Sequence, residues 1–284
     1  MPQAEQRTDP VAEHGEGPVW FDEPGQLRWV DMLAGDVLTL HEDSAVTRRH
    51  VGTVAAALRP RSRGGFVVGL ERCFALDDGD GSPLQCFPNL WDHTRVRMNE
   101  GGCDPDGRFY CGSMAYDKAA GAGALYRLDP DGTVHVVLER CSIANGLDWS
   151  PDGGTAYFVD TATQRIDAFD YSAARGLVNR RPLVSIPVAA GAPDGLTVDS
   201  EGAIWVALWG GSAVHRYLSS GSLDLVITLP VSQVTACTIG GRSFDRLFIT
   251  TSRLGLPEGV EPQAGSVFGL EGVPTGRAVM PFAG

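Results

Sequence analysis

The chain is short of positive charge. Its 284 residues include 23 Lys and Arg against 35 Asp and Glu, which gives a formal net charge of −12. Nucleic acids and anionic membrane surfaces are bound by basic faces, so neither is expected as a partner. No apolar run approaches the roughly 18 residues of a membrane span, and the polar N-terminus (MPQAEQR) lacks the apolar stretch of a signal peptide. We therefore expect a soluble cytoplasmic protein.

Several catalytic and redox motifs are also missing. The six cysteines form no C-x-x-C pair, which argues against a zinc ribbon or a thioredoxin-type site. Cys103 and Cys111 flank a short turn and could face each other, but reduced thiols are expected in a chain without an export signal. There is no G-x-S-x-G sequence, which disfavours a serine hydrolase.

What the chain does have is glycine, proline and short alternating segments. No segment sustains a 3.6-residue apolar period over ten residues, whereas 36 Gly and 18 Pro suit many short strands joined by turns. One sequence pattern recurs: an acid or amide beside a glycine, an alternating strand, a turn of Asp, Pro and Gly, and a second strand. Its clear copies begin at Asn99, Asn145 and Asp194, and a fainter one begins at Glu16.

The spacing of these copies gives the number of repeats. Glu16 and Asn99 are 83 residues apart, about twice the later steps of 46 and 49, so weak copies are expected near residues 54–60 and 235–241. Six units of 40–50 residues with four strands each are typical of a β-propeller. We predict an all-β fold, a six-bladed β-propeller with four-stranded antiparallel blades around a central channel. Residues 1–284 would form a single domain with residues 1–13 as a polar lead-in, and the last blade would pair with a strand from the other terminus.

The first residues of the innermost strands should meet at one end of the channel. Glu16 and Asp194 would bring two carboxylates there and Asn145 an amide oxygen, a set that suits one divalent cation. A single polar residue of this kind beside a glycine is also ordinary turn chemistry, but four at matching positions of the repeat, Glu16, Asn99, Asn145 and Asp194, favour a site. The acids at the far ends of the same strands are assigned to turns: Asp104, Asp106, Asp152 and Asp199.

Arg97 precedes Asn99 by two residues and on a strand would share its face. A guanidinium group beside a metal suits a ligand with hydroxyls or a carboxylate. The alternative is an ordinary surface arginine.

Five motifs in order resemble those of the regucalcin (senescence marker protein)/gluconolactonase/luciferin-regenerating enzyme family. They are residues 16–20 (EGPVW), 97–101 (RMNEG), 112–114 (GSM), 145–150 (NGLDWS) and 193–195 (PDG). The match extends over about residues 14–270. The resemblance implies a six-bladed propeller with one divalent metal cation in its channel, which could be Ca, Zn, Mn, Mg or Fe(II).

The resemblance also implies roles for single residues. The metal would be held by Glu16, Asn145 and Asp194. Asp194 would in addition accept and donate the proton in catalysis, and Arg97 and Asn99 would bind the sugar lactone.

Two positions depart from the family pattern. Asp117 is the acid nearest to the place where the family often has a glutamate that contacts substrate, and Tyr116 is the alternative contact. Glu100 stands where an aspartate is common. Both departures concern the substrate side of the site rather than the metal side.

We therefore expect a metal-dependent lactonase, a hydrolase of cyclic carboxylic esters whose small-molecule substrate is a sugar (aldono-)lactone. It would be a monomer or a weak homo-oligomer. One alternative is a calcium-binding regulatory protein without turnover. Another is a metal-dependent esterase or an enzyme of secondary metabolism on the same propeller, because one fold hosts unrelated chemistries.

Overall fold

A computed structural model describes residues 2–284 and confirms the predicted six-bladed β-propeller. Within these residues, six four-stranded antiparallel sheets follow one another along the chain. The innermost strand of each blade packs against the innermost strands of its two neighbours, and the first and last of them also meet. The six strands thereby close a ring around the channel.

The strands are numbered in chain order, beginning with β1 (Glu5–Gln6). Blade 1 contains β2 (Gly15–Phe21), β3 (Gln26–Asp31), β4 (Asp36–Leu40) and β5 (Val46–His50), and blade 2 contains β6 (Ala55–Pro60), β7 (Phe66–Leu70), β8 (Phe74–Asp77) and β9 (Gln85–Cys86). Blade 3 contains β10 (Val96–Cys103), β11 (Phe109–Ala115), β12 (Gly123–Leu128) and β13 (Val134–Cys141), and blade 4 contains β14 (Ala144–Trp149), β15 (Thr155–Asp160), β16 (Arg165–Ser172) and β17 (Gly176–Ser185). Blade 5 contains β18 (Ala192–Val198), β19 (Ile204–Trp209), β20 (Ala213–Tyr217) and β21 (Leu223–Thr228), and blade 6 contains β22 (Val234–Gly240), β23 (Arg246–Thr251) and β24 (Val267–Glu271).

Three short 3-10 helices of three residues each connect strands: Met32–Ala34, Thr161–Thr163 and Val188–Ala190. No helix in the described part of the chain has the length and apolar character needed to cross a membrane.

The ring closes by pairing the two ends of the chain. Strand β1 is the outermost strand of blade 6, where Glu5 lies opposite Gly269 and Gln6 opposite Phe268. Glu5–Gln6, within the segment that we expected to be a polar lead-in, thus form a strand. The pairing covers the edge of β24, which would otherwise present unpaired backbone groups.

Each innermost strand contains one break in its pairing with the next strand. The breaks lie at Glu16/Val19, Ala55/Ala57, Met98/Gly101, Ala144/Leu147, Pro193/Leu196 and Val234/Ala236. They coincide with the starts of all six repeats, including the two weak copies predicted near 54–60 and 235–241. A bulge changes the direction of side chains and interrupts their alternation. Two consecutive residues can therefore face the channel at these points.

The apolar core lies between neighbouring blades. Val159 and Ile166 of blade 4 pack with Leu196 and Val206 of blade 5, for example, and all four are buried. Trp29, Trp149 and Trp205 are fully buried, as expected of core tryptophans, whereas Trp20 and Trp209 are half-buried.

Every cysteine among residues 2–284 is a free thiol. Cys111 pairs with Gly101 and Cys103 with Phe109, so the two thiols that flank the turn do not face each other.

The end of the channel away from the repeat starts is crossed by the last residues of the chain. The backbone of Thr275 accepts hydrogen bonds from Ser200, the Phe282 N–H donates to Pro60, and the Ala283 N–H donates to Gly107. This segment therefore contacts the turns of several blades and covers that end.

The predicted turn acids lie at this covered end, and Asp199, like Asp104, is fully enclosed there. Its carboxylate accepts hydrogen bonds at 2.9 Å from Ala203 N–H, Trp205 Nε1 and Arg216 Nε, and it has no exposed surface. Removing it would leave the Ala203 N–H, Trp205 Nε1 and Arg216 Nε donors without this acceptor, although Arg216 would keep its ion pairs with Glu201 and Asp224.

We predict that Asp199→Ala lowers the free energy of unfolding by about 3–5 kcal/mol, because three buried donors each lose an acceptor at a cost of about 1–3 kcal/mol. Urea denaturation followed by tryptophan fluorescence measures the change. The control is Asp152→Ala, because Asp152 is an exposed acid of the blade 4 turn and should have a much smaller effect. Equal midpoints for the two variants would contradict the structural role of Asp199.

Candidate functional site

Four side chains from the starts of different innermost strands converge at the end of the channel opposite the C-terminal segment. They are Glu16 on β2, Asn99 on β10, Asn145 on β14 and Asp194 on β18. All four side chains are buried, with residue exposures between 3% and 6%. Each lies at the bulge of its strand, which accounts for its inward direction.

The anionic part of the site contains three carboxylates rather than two. One oxygen from each of Glu16, Glu100 and Asp194 lies within 4.8 Å of the others. Oxygen ligands bind Ca²⁺ at about 2.3–2.6 Å, so two ligands of one ion are at most about 5 Å apart. The three carboxylates could therefore hold a single divalent cation.

Asn145 is fixed by hydrogen bonds at both ends of its amide. Its Oδ1 accepts a hydrogen bond from Asn99 Nδ2 at 3.1 Å, and its Nδ2 donates to Thr161 Oγ1 at 2.8 Å. Since the nitrogen is taken up by Thr161, the oxygen remains on the side of Asn99 and Asp194. An amide oxygen held in this way is a suitable neutral ligand for a hard cation.

Arg97 continues this chain of hydrogen bonds. Its Nη1 donates to Asn99 Oδ1 at 2.7 Å and to the Met98 carbonyl at 2.9 Å, and the residue is only 6% exposed. Arg97 is thus part of the site and not a surface arginine. Burial lowers its pKa, while the nearby Glu16 carboxylate acts in the opposite direction.

The carboxylates of the site are unfavourably placed as anions unless a positive charge lies near them. Burial raises the pKa of Glu16 well above its usual value, and the Asp194 and Glu100 carboxylates raise it further. Burial likewise raises the pKa of Asp194, with a further contribution from Glu100, although Asn145 and Arg97 oppose the change. Acids in this situation become stable as anions when a cation binds between them.

Glu100 is also buried among these acids, and one of its oxygens lacks a hydrogen-bond partner in the described part of the chain. Burial raises the pKa of its carboxyl group to about 7, against the opposing charge of Arg59. Its Oε2 is buried and has no hydrogen-bond partner among residues 2–284. A buried polar atom without a partner indicates an absent ion or water molecule, so the residues fit a hard divalent cation.

His14 lies beside the site and was not identified from the sequence. Its Nδ1 is 2.9 Å from Ser252 Oγ, its Nε2 is 3.7 Å from Glu16 Oε1, and its ring packs edge-on against Trp209. Burial lowers the pKa of His14 to about 3, so the ring next to Glu16 is neutral.

Asp117 and Tyr116, the two candidates for the family's additional substrate contact, lie in different surroundings. Asp117 lies on an exposed turn after β11, and its Oδ1 accepts a hydrogen bond from the Ala119 N–H at 3.1 Å. The Tyr116 ring centre is 5.9 Å from the Arg97 guanidinium carbon, and its hydroxyl donates to Glu71 Oε1 at 2.7 Å. The structure therefore brings Tyr116 into contact with the site arginine and leaves Asp117 at the rim.

A signal for Glu100 was present in the repeat. In blades 4 and 5 the residue after the first polar one is Gly146 or Gly195, whereas in blade 3 it is Glu100. All three lie in the bulges of their strands. A large acidic residue at a position that elsewhere holds glycine must point its side chain into the channel.

Comparison with known proteins identifies chains similar to this one. The family profile described as the SMP-30/Gluconolactonase/LRE-like region matches residues 14–253. Regucalcin of Danio rerio is 33% identical over 279 residues, covering 92% of this chain and 93% of that protein. The solved structure of a calcium-binding protein, regucalcin, from Agrobacterium tumefaciens has a TM-score of 0.92 at 28% identity, covering 99% of this chain and 97% of that one.

A third similar protein is the solved gluconolactonase from Xanthomonas campestris. It is 25% identical with a TM-score of 0.75, covering 94% of this chain and 88% of that one. The profile match spans most of the chain, and the regucalcin relative exceeds 30% identity over nearly its whole length. The resemblance inferred from the five motifs is confirmed: this chain belongs to the SMP-30/gluconolactonase/LRE-like family.

Proposed function

We propose that this protein is a divalent-metal-dependent lactonase that hydrolyses a sugar (aldono-)lactone. The observation that carries the proposal is the convergence of buried Glu16, Asn145 and Asp194 from three blades, beside a buried Arg97. Membership in a family that contains gluconolactonases supports the reaction class. Glu16, Asn145 and Asp194 would hold the cation, and Arg97, Asn99 and Asp117 would bind the sugar.

When bound, the cation would supply Lewis-acid polarisation of the lactone carbonyl and stabilise negative charge on its oxygen. Hydrolysis forms a bond between the water oxygen and the acyl carbon and breaks the bond from that carbon to the ring oxygen. An Asp194 carboxylate oxygen would accept the proton of the attacking water and return it to the departing ring oxygen. The product is the open-chain hydroxy acid.

Arg97 and Asn99 would fix the orientation of the substrate. They are joined to each other and to Asn145 by hydrogen bonds, so the groups that contact the sugar are connected to those that hold the cation. Fixing the sugar hydroxyls places the acyl carbon close to Asp194, which lowers the entropic part of the barrier.

We predict that chelation of the metal abolishes hydrolysis of gluconolactone and that Mn²⁺, Ca²⁺ or Zn²⁺ restores it.

Asp194→Asn keeps the size of the side chain but removes the carboxylate, so kcat should fall by about 10²–10⁴-fold. Acid release in a pH-stat, corrected for spontaneous hydrolysis, measures both. Asp152→Asn, on a turn at the opposite end, is the matched control and should retain activity. Full activity in the metal-stripped protein or in Asp194→Asn would refute the mechanism.

We predict that Arg97→Lys lowers kcat/KM for the lactone by about 10–100-fold, mainly through KM. The lysine keeps the positive charge but loses the planar set of donors, and a hydrogen bond to a charged group contributes about 1.5–3 kcal/mol. Steady-state kinetics measures the effect on the lactone, and calorimetric titration measures the effect on metal binding. The metal affinity should stay unchanged. An unaltered kcat/KM would remove Arg97 from substrate binding.

A matched pair of variants tests the third sugar contact. If Asp117 binds a lactone hydroxyl, Asp117→Asn should raise KM by about tenfold, as expected when a charge-assisted hydrogen bond is weakened. Tyr116→Phe should leave KM nearly unchanged. The reverse result, a raised KM only for Tyr116→Phe, would transfer the contact to Tyr116.

The second candidate function is calcium binding without turnover. Three buried carboxylates and an amide oxygen form a set that also suits a calcium-binding protein, and one similar protein is described as calcium-binding. The same assays distinguish the two, because tight calcium binding without hydrolysis of any lactone would favour this function.

A further inference from the structure

We propose that Glu100 is a fourth protein ligand of the cation, supplied by blade 3. The cation would then be held by three carboxylates and one amide oxygen rather than by Glu16, Asn145 and Asp194 alone. This inference rests on the proposed metal site and extends it.

The first argument is distance. The oxygens of Glu16, Glu100 and Asp194 lie within 4.8 Å of one another. This value is inside the limit of about 5 Å for two oxygens on one Ca²⁺. Glu100 therefore does not need to move to another rotamer in order to reach an ion that Glu16 and Asp194 share.

The second argument is the unpartnered oxygen. Glu100 is 4% exposed, and no donor in the described chain reaches its Oε2. Leaving a buried carboxylate oxygen without a partner costs several kcal/mol. Asp199, by contrast, is equally buried but accepts hydrogen bonds on both oxygens. Both oxygens of the Asp199 carboxylate are thus hydrogen-bonded, whereas the Oε2 of Glu100, beside the proposed metal site, has no partner among the residues that the structure describes.

The third argument is the space made for the side chain. A Cβ atom added to Gly195 would lie 2.8 Å from Glu100 Oε2 and 2.4 Å from the Ala236 Cβ. A larger residue after Asp194 would therefore collide with Ala236 and would also crowd the Glu100 carboxylate in its present position. Glycine in the blade 5 bulge and glutamate in the blade 3 bulge are sterically complementary, and together they place a third carboxylate in the channel.

Water is the competing partner for this oxygen. Glu100 also lines a cavity of about 40 Å³ toward the covered end of the channel, together with Arg59, Asp148 and Arg277. A cavity of this size has room for water molecules. Water would satisfy the Glu100 carboxylate without making it a ligand, and the metal affinity would then not depend on Glu100.

A third carboxylate from Glu100 would also affect which metal ions bind and how tightly. A set of oxygen donors with three negative charges and no nitrogen or sulfur favours hard cations such as Ca²⁺, Mn²⁺ and Mg²⁺. Without Glu100, two carboxylates would just balance a divalent cation. The third carboxylate makes the cage itself net negative, partly offset by Arg97, and should increase affinity for cations in general.

The test is calorimetric titration of the metal-stripped protein with Mn²⁺ and with Ca²⁺. The variants are Glu100→Gln, which keeps the shape and removes the charge, and Glu100→Asp, which keeps the charge and shortens the reach. Glu16→Gln is the positive control for loss of a ligand. Asp148→Asn is the matched negative control, because it removes a carboxylate from the cavity on the far side of Glu100.

Glu100→Gln should weaken the binding of both ions at least tenfold, Glu100→Asp should also weaken it, and Asp148→Asn should not. Thermal unfolding provides a second readout. Metal-free Glu100→Gln should melt at a higher temperature than metal-free wild type, since one of three crowded carboxylates is gone, and metal should raise its Tm less. A merely structural role for Glu100 predicts the opposite, a lower Tm without metal.

Two results would overturn the inference, and they are distinguishable. If Glu16→Gln loses metal binding and Glu100→Gln retains it, Glu100 is not a ligand and the three-residue site stands. If neither variant changes the affinity, the proposed metal site itself is wrong, and the role of Glu100 fails with it.

Discussion

The mutual repulsion of buried carboxylates is the constraint on which this structure depends. Glu16 and Asp194 are brought together in a place that water barely reaches, with Glu100 beside them. Bringing like charges together out of water is unfavourable unless a cation or protons compensate. The raised pKa values of these acids express that cost in the metal-free protein. Arg97 compensates part of it, and a divalent cation would compensate the rest.

The propeller makes this arrangement possible because each carboxylate belongs to a different blade. Neighbouring blades are joined by extensive apolar packing, so the inner strands are fixed relative to one another. In blades 1, 3, 4 and 5 the bulge at the start of the inner strand then turns a polar side chain into the channel. The C-terminal segment covers the other end of the channel, away from these side chains. The site is thus built from inner strands that are fixed in place and whose bulges direct the first polar residues inward.

Much of this could be predicted from the sequence, because the repeat carries both fold and site. Asn145-Gly146 and Asp194-Gly195 repeat at matching positions, which gave the number of blades and the convergence of their first residues. Glu100 was not predicted as part of the acidic cluster, because simple alternation places consecutive residues on opposite faces and a bulge breaks that rule. Asp117 could not be placed because it follows a strand in an irregular turn, where no periodicity fixes the direction of a side chain.

The central claim is that one cation is shared by side chains from separate blades. The most direct measurement is an anomalous difference map from a crystal soaked in Mn²⁺ and recorded at the manganese edge. The account predicts a single strong peak in the channel, about 2.0–2.6 Å from oxygens of Glu16, Asn145 and Asp194. A channel without a peak at high Mn²⁺, or a peak that touches none of these three side chains, would contradict it.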